Sequence, residues 1–539
     1  MPAIDYALYL VTGRDLLPPG QPFAATLAAA LASGVTLVQL REKTADTGEF
    51  LAVARETKTI CDAHNVPLLI NDRADIALAV GAAGVHVGQD DMNARDVRKL
   101  LPAGAIVGVS CNSADDVRRA VADGADYIGI GSVYGTATKN VKNPLLGPRA
   151  VGPLLALLDG TDVRAVAIGG INAGNLARTL QGSVSDSGHA LDGVAVVSDI
   201  MASRDPGAAS AKLAGIVKAF KEGRAAPAPS TSLKVDDLLD GVVRLMEVVK
   251  EINPLVHQIT NTVVTTQSAN ITLAAGGSPI MATAPEEMDD LAKVAGAVLI
   301  NIGTLREDVV RAMRVVGPAA NLSRTPLVFD PVGVGATDFR KRTVKELLDA
   351  FQISVLKGNA GELAAVAGSN EVRAKGVDSA GPGFADPAGF VRGLARKEKT
   401  TTLLTGPIDY LSDGTRAVKI SNGHHILGRV TGSGCMLGSL VATYCAAAAH
   451  VADLDAAKSS GTSATVDEDL PRAGSASDTV RGDMLVGALA AVLVLSIAAE
   501  KAVARGDVYG PGTFLPALMD EVASLTPGEV RKRAKVEGA

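Results

Sequence analysis

Short apolar runs recur through the first half of the chain, each ending in polar residues and followed by a stretch of helical spacing. The runs are ALYLV (7–11), VTLVQL (35–40), PLLI (67–70), GVHV (84–87), AIVGVS (105–110), YIGIG (127–131), RAVAIG (164–169) and GVAVV (193–197). Their apolarity is continuous rather than alternating, which predicts parallel strands buried on both faces. Eight strand–helix units in about 220 residues predict a (β/α)8 TIM barrel. From Val235 the pattern changes to glycine-punctuated motifs between strands such as PLVFD and TTLLTG and helical segments. That alternation predicts a three-layer αβα domain on a mainly parallel sheet. Between them, Lys221 to Ser232 reads KEGRAAPAPSTS, polar, rich in Pro and Ala and without periodicity. The expected organisation is a barrel over 1–222, a linker over 223–234 and a second domain over 235–539, with no repeat relating the halves.

Composition narrows the function. The chain has 539 residues, too many for one core, and a net charge of −6, so a nucleic-acid partner is not expected. The basic run Arg531-Lys532-Arg533 reads as a solvated helix end. Aromatics are 3% and Trp is absent. Four cysteines lack CxxC spacing, so neither a zinc knuckle nor a disulfide framework is expected. The N-terminus lacks a signal-peptide pattern, and the uncharged run Met484–Ala499 reads as a buried core helix rather than a membrane span. A cytoplasmic protein with small-molecule substrates and no membrane partner is expected.

The candidate chemistry sits where strands end. Asn71 and Asp72 follow the third run, Gln89 and Asp91 the fourth, and both carboxylates can face one mouth. Such oxygen ligands suit Mg²⁺ completed by water and phosphate; the plainer role is capping a helix and a turn. Gln39, Arg41 and Lys43 follow the second run, Ser110 the fifth, Thr136, Thr138 and Lys139 the sixth, Gly169-Gly170 the seventh and Ser198 the eighth. Cations, carboxylates and glycine turns in one ring fit a diphosphate with Mg²⁺. His86, inside a strand, reads as a packed core residue, and Cys61 and Cys111 as small apolar fillers.

The motifs VQLREK, LINDRADIAL, GVHVGQDD, GVS, GTATK, AIGGI and VAVVS resemble, in order across 5–220, the thiamine phosphate synthase family. That resemblance implies a barrel joining hydroxymethylpyrimidine diphosphate to thiazole phosphate with release of pyrophosphate, by loss of pyrophosphate before capture of the pyrimidine cation. It implies that Gln39, Arg41, Lys43, Asn71, Ser110 and Lys139 hold the pyrimidine diphosphate. Asp72 and Asp91 would hold Mg²⁺, and Thr136, Thr138, Gly170, Val197 and Ser198 the thiazole phosphate. The stretch GSVSDSGHALD (182–192) departs from the pattern as a lengthened surface loop.

In the second half, VTGSGCMLG (430–438) leads small residues into a helix start, an arrangement suited to an anion, and it is not a Walker loop. Asp330 and Glu362 add carboxylates after strand-like segments. With QITNTVV, ANITLAAGGSPIMA, VLINIGTL, VFDPVGVGAT, LKGNAGE and LLTGPIDY, in this order over roughly 236–530, the half resembles hydroxyethylthiazole kinase, a ribokinase-like family. An insertion at 457–482 is expected to be mobile. The resemblance implies phosphorylation of the thiazole's primary hydroxyl, with ATP as co-substrate. Asn261, Met281 and Gly432 would contact the thiazole, Lys357, Thr405 and Gly434 the ATP, and Asp330 and Glu362 the Mg²⁺. Gly432 and Gly434 would line the anion hole. Cys435 would be the catalytic base. A homo-oligomer built on kinase-domain trimers is also implied. The halves together imply a bifunctional transferase of thiamine biosynthesis. The alternatives are one inactive half serving as a scaffold, a ligand-sensing regulator, or a second half acting on hydroxymethylpyrimidine; the ITN and SPIMA segments favour the thiazole.

Overall fold

Parallel strands need partners on both edges and apolar cover on both faces, and the eight runs of the first half receive both. The computed structural model describes residues 4–539 apart from 137, 139–142, 226–233, 376–377, 381–382, 460–474 and 476–477. The strands are β1 (Leu8–Val11), β2 (Leu37–Leu40), β3 (Leu68–Asn71), β4 (Gly84–Val87), β5 (Ile106–Cys111), β6 (Tyr127–Ile130), β7 (Arg164–Ile168) and β8 (Gly193–Val196). Each pairs in parallel with the next and β1 closes on β8, a complete barrel.

Alternate side chains point inward, and successive inward positions divide between a packed floor and a polar mouth. Leu37, Leu69, Val166 and Ala195 join Tyr6, Tyr9 and Tyr127 in an apolar cluster inside the barrel. Two residues further along the same strands stand Gln39, Asn71, Ile168 and Val197, at the C-terminal mouth. Outward side chains such as Leu8, Val38, Ile70 and Val85 pack against the surrounding helices. Those helices start where the sequence supplies caps: Asp46 accepts from the Glu49 N–H, and Ser113 and Asp116 form a reciprocal box.

The last helix of this unit runs from Pro206 to Ala225, so Gly223–Ala225, predicted as linker, are helical. Linker residues 226–233 lie outside the described residues. The chain separates into two compact units between Pro227 and Ala228.

The second unit holds β9 (Leu255–Ile259), β10 (Ser278–Ile280), β11 (Ala297–Asn301), β12 (Leu327–Asp330), β13 (Val355–Asn359), β14 (Arg373–Lys375), β15 (Asp378–Ala380), β16 (Thr401–Thr405), β17 (Asp409–Ser412), β18 (Ala417–Ile420) and β19 (Val536–Gly538). Nine form one sheet in the order β10-β9-β11-β12-β13-β16-β17-β18-β19, while β14 and β15 make a separate hairpin. From β10 to β16 every pairing is parallel; β17, β18 and β19 are antiparallel. The sheet is thus mixed. Only Gly406–Ile408 separate β16 from β17, too few residues for a parallel crossover.

Helices cover both faces. Leu299 of β11 enters one core, while Val298 and Ile300 enter the other. The first core is built on the helices Ser433–Ser459 and Met484–Val503, buried over 78% and 83% of their most apolar windows. Met484–Ala499 is therefore a core helix, as its composition predicts. Of the 457–482 segment, residues 457–459 finish the first of these helices and 460–474 and 476–477 lie outside the described residues. Arg481 is fixed by a buried ion pair with Asp453 at 2.9 Å.

Candidate active sites

Because all eight barrel strands run the same way, the residues that follow them converge on one mouth. The cleft there is lined by Gln39, Arg41, Lys43, Asn71, Asp72, Asp91, Ser110, Thr136, Thr138, Gly170, Val197 and Ser198. Every barrel residue given a binding role from sequence thus lines a single cleft except Lys139, which lies outside the described residues. Gln89 is not among the lining residues, and its amide nitrogen donates to the Ser110 carbonyl at 2.6 Å.

The polar groups are arranged for an anion. The Asn71 amide nitrogen is buried without a hydrogen-bond partner, a donor left for a ligand. Lys43 forms an ion pair with Asp72, half exposed to solvent. Asp72 adopts the left-handed conformation at φ 62°, which Asp tolerates better than most residues. Burial and the facing Asp91 push its carboxyl up, while Lys43 pulls it back. Asp91 accepts from the Gly88 N–H at 2.8 Å, which fixes its turn. Gly170 sits at φ 64°, where a Cβ would lie 2.4 Å from the Gly135 carbonyl, so the close approach of two loops requires glycine.

His86 departs from its sequence reading. It is buried, as predicted, but it also lines the cleft and binds the Ser110 hydroxyl at 2.9 Å through Nε2. Its other nitrogen meets Tyr127, and Tyr127 meets Tyr9. Neither tyrosine stood out in the sequence.

In the second unit the cleft lies beyond the C-terminal ends of β9, β11, β12, β13 and β16. It is lined by Asn261, Asp330, Lys357, Glu362, Thr405, Gly432, Gly434 and Cys435. Met281, directly after the edge strand β10, is not among its lining residues. Gly432 has φ 87°, and a Cβ there would lie 2.4 Å from Val264, so the turn into the helix Ser433–Ser459 needs glycine. At the start of that helix Ser433 N–H donates to the Val430 carbonyl at 3.4 Å and Met436 N–H to the Gly432 carbonyl at 2.8 Å, while Gly434 and Cys435 between them line the cleft.

A buried polar cluster crosses the floor. Lys357 Nζ donates to Asp330 Oδ2 at 2.9 Å, the two side chains being 5% and 0% exposed. Asn301 Nδ2 donates to the same oxygen at 3.0 Å, and Asp330 Oδ1 is buried without a partner. Burial pushes the Asp330 carboxyl up and Lys357 pulls it down. Burial pulls the Lys357 ammonium down, but Asp330, Glu362 and Cys435 more than reverse this. Cys435 Sγ accepts from Asn261 Nδ2 and Asn301 Nδ2, both at 3.3 Å. Burial, then the Asp330 charge, push its thiol up despite those donors.

Glu362 serves structure as well as chemistry. Its oxygens accept from Gly333 N at 3.0 Å and Asn359 N at 2.9 Å, the latter within the capping box of the helix Ala360–Ala367. Burial and Asp330 push it up to about 7. Asp409, lining the same cleft, is pushed up to about 7 by burial, and its carboxylate holds the Gly406 N–H at 3.0 Å. Neither Asn301 nor Asp409 was singled out from sequence. Asn301 carried the same signal as Asn71, an amide closing a buried strand.

Among the described residues no three or more His, Cys, Asp or Glu side chains gather into a metal cluster. Carboxylate pairs do: Asp72 with Asp91, and Asp330 with Glu362. A pair of carboxylates and an orphaned buried oxygen is a donor set that fits Mg²⁺, which fills its shell with water and phosphate.

Two family models match the chain, the thiamine monophosphate synthase family over residues 8–200 and the hydroxyethylthiazole kinase family over 246–466. A Schizosaccharomyces pombe protein named "Probable thiamine biosynthetic bifunctional enzyme" is 37% identical, covering 99% of this chain and 99% of its own. The "Thiamine biosynthetic bifunctional enzyme" of Saccharomyces cerevisiae is 36% identical over 82% of this chain and 86% of its own. Among solved structures, hydroxyethylthiazole kinase from Pyrococcus horikoshii is 34% identical, covering 56% of this chain and 99% of its own, with a TM-score of 0.44.

Proposed function

The chain belongs to the thiamine biosynthetic bifunctional enzymes, and from that premise we propose how its residues divide the work. It is a bifunctional transferase. The second unit phosphorylates the primary hydroxyl of hydroxyethylthiazole with ATP, and the barrel condenses the thiazole phosphate with hydroxymethylpyrimidine diphosphate to thiamine monophosphate and pyrophosphate.

In the barrel, the C–O bond to the diphosphate breaks and a C–N bond to the thiazole nitrogen forms. No protein nucleophile is required; the demand is for positive charge and donors around the departing diphosphate. Arg41, Lys43, Lys139 and the unpartnered Asn71 amide supply them. Gln39 and Ser110 hold the pyrimidine ring. Thr136, Thr138, Gly170, Val197 and Ser198 hold the thiazole phosphate, presenting its nitrogen. In the kinase unit, Asn261 and Gly432 contact the thiazole, with Met281 reaching it from a neighbouring copy, while Lys357, Thr405 and Gly434 take ATP, Gly432 and Gly434 lining the anion hole at the helix start. Cys435 as thiolate accepts the hydroxyl proton, and the two amides aimed at its sulfur stabilise the charged form. Asp72 and Asp91 in one unit, and Asp330 and Glu362 in the other, would hold Mg²⁺, which would supply charge neutralisation for the phosphates. We further propose a homo-oligomer built on kinase-domain trimers, because Met281 stands away from the cleft of its own chain. A cytoplasmic setting fits the four free, buried cysteines.

The observation that carries the assignment is that both clefts keep their charged and donor residues together, which an inactive scaffold or a sensor would not need. The test supplies hydroxyethylthiazole, the pyrimidine diphosphate and Mg²⁺, with and without ATP, and measures thiamine monophosphate. Product that needs ATP from the alcohol, but not from thiazole phosphate, is the expected result. Activity of Cys435→Ala only when thiazole phosphate is supplied places the base, and unchanged kinase turnover in that variant rejects it. Absence of product from either thiazole species rejects the residue assignments in the barrel.

A further inference from the structure

Beneath the barrel cleft, five side chains from five strands form a single file of hydrogen bonds. Gln39 Nε2 on β2 donates to Tyr9 Oη on β1 at 2.5 Å. Tyr9 Oη lies 2.7 Å from Tyr127 Oη on β6, which lies 2.7 Å from His86 Nδ1 on β4. His86 Nε2 lies 2.9 Å from Ser110 Oγ on β5. Tyr9 and Tyr127 are 1% and 0% exposed, and burial pushes both phenols far up, so each keeps its one proton.

With one proton per link, the donor at the start sets every later direction. An amide N–H only donates, so Tyr9 accepts from Gln39 and gives its own proton to Tyr127. Tyr127 then gives its proton to His86 Nδ1, which carries no hydrogen. The imidazole proton is on Nε2 and points at Ser110 Oγ. The Ser110 hydroxyl proton is left for the cleft, and at the other end so is Gln39 Oε1.

We propose that Tyr9, Tyr127 and His86 are positioning residues that fix a donor at Ser110 and an acceptor at Gln39, so that the cleft selects an aminopyrimidine over its oxo counterpart. An exocyclic amino group beside a bare ring nitrogen presents a donor and an acceptor, the complement of this pair. The oxo form presents an acceptor and an N–H, the reverse pattern, and leaves both protein groups opposed. The inference rests on the reading that Gln39 and Ser110 meet the pyrimidine ring. Gly108 belongs to the same device, since a Cβ there would lie 2.1 Å from the Tyr127 ring.

The test uses the full chain in two measurements. ¹⁵N NMR on histidine-labelled protein, with His86 assigned from His86→Gln, reads the tautomer without substrate. The Nε2–H form is expected, and a mixture in Tyr127→Phe; an Nδ1–H form in the unsubstituted protein, or an unchanged spectrum in the variant, overturns the relay. Steady-state kinetics then compare the aminopyrimidine diphosphate with its oxo analogue. Tyr127→Phe and Tyr9→Phe are expected to raise KM for the amino substrate and to cut the preference for it, each about tenfold. KM for thiazole phosphate, which binds the same barrel, is expected to hold within about twofold and so controls for folding of that unit. A uniform loss of synthase activity with preference intact means a structural role and overturns the proposal. If Gln39→Ala and Ser110→Ala leave the pyrimidine KM unchanged, the binding reading fails; if they raise it while both tyrosine variants do not, the relay fails.

Discussion

Replacing Lys357 by Met removes the only cation that ion-pairs with Asp330 among the described residues, and the cost follows from the burial of the carboxylate left behind. Asp330 is fully buried, one of its oxygens has no partner, and the other would keep only Asn301 at 3.0 Å. Removing one member of a buried ion pair typically costs about 3–5 kcal/mol, because the survivor stays charged in a poor environment. The survivor can also take up a proton. Against an ordinary carboxyl value of about 3.9, holding a proton at pH 7 costs about 3 units at 1.36 kcal/mol each, or about 4 kcal/mol. The same step at pH 5 costs about 1.5 kcal/mol. The penalty of Lys357→Met should therefore fall by more than half between pH 7 and pH 5, and Lys357→Met with Asp330→Asn should recover most of it. Hydrogen exchange of peptides spanning β12 and β13 reads the kinase unit alone, which matters in a chain of two compact units. A loss below about 1 kcal/mol at pH 7, or a loss independent of pH, would refute the argument.

Two other outcomes follow from the clefts. Asp409 and Glu362 are both raised to about 7, so between about pH 4 and pH 7 the folded kinase unit keeps protons that the unfolded chain has lost. Its stability should fall as pH rises through that window and level off above it; Asp409→Asn should flatten the slope, measured as melting temperature at pH 5, 6, 7 and 8, and added Mg²⁺ should remove the share due to Glu362. In the barrel, Asp72→Asn keeps a residue that accepts φ 62° and should raise the Mg²⁺ concentration needed for half-maximal synthase activity. Asp72→Ala should do the same and also destabilise the barrel by about 1 kcal/mol in denaturant titration.

The strands were legible because burial on both faces forces continuous apolar runs, and the runs stop where polar residues must meet solvent or substrate. GVHV at 84–87 is a strand in both sequence and structure. The antiparallel side of the second sheet was not legible: β19 is Val-Glu-Gly, with no apolar run to announce it, and it is placed by pairing with β18. Helical continuation through Gly223–Ala225 was hidden by the Ala/Pro-rich stretch that begins at Ala225. Site residues at strand ends could be named one by one, but their mutual geometry could not. Tyr9 and Tyr127 are 118 positions apart, and only barrel closure brings their hydroxyls to 2.7 Å. Likewise, the spacing around Cys435 allows a reactive thiol, whereas its burial and the neighbouring Asp330, which push the thiol up, exist only in the folded unit.

The seam between β1 and β8 also bears on how the chain acquires this fold during synthesis. Every other barrel strand pairs with its neighbour in sequence, so pairing can follow the order of translation. The seam joins Leu8 to Val194, and it waits until nearly the whole barrel has left the ribosome. Until then a nascent sheet exposes two raw edges, which are sites for pairing with other chains. The file of hydrogen bonds from β2 to β5 runs through β1 and β6, and an open or misregistered sheet cannot assemble it. Closure and completion of this file of hydrogen bonds therefore arise in the same event, and a barrel that closes in the wrong register lacks it from the outset.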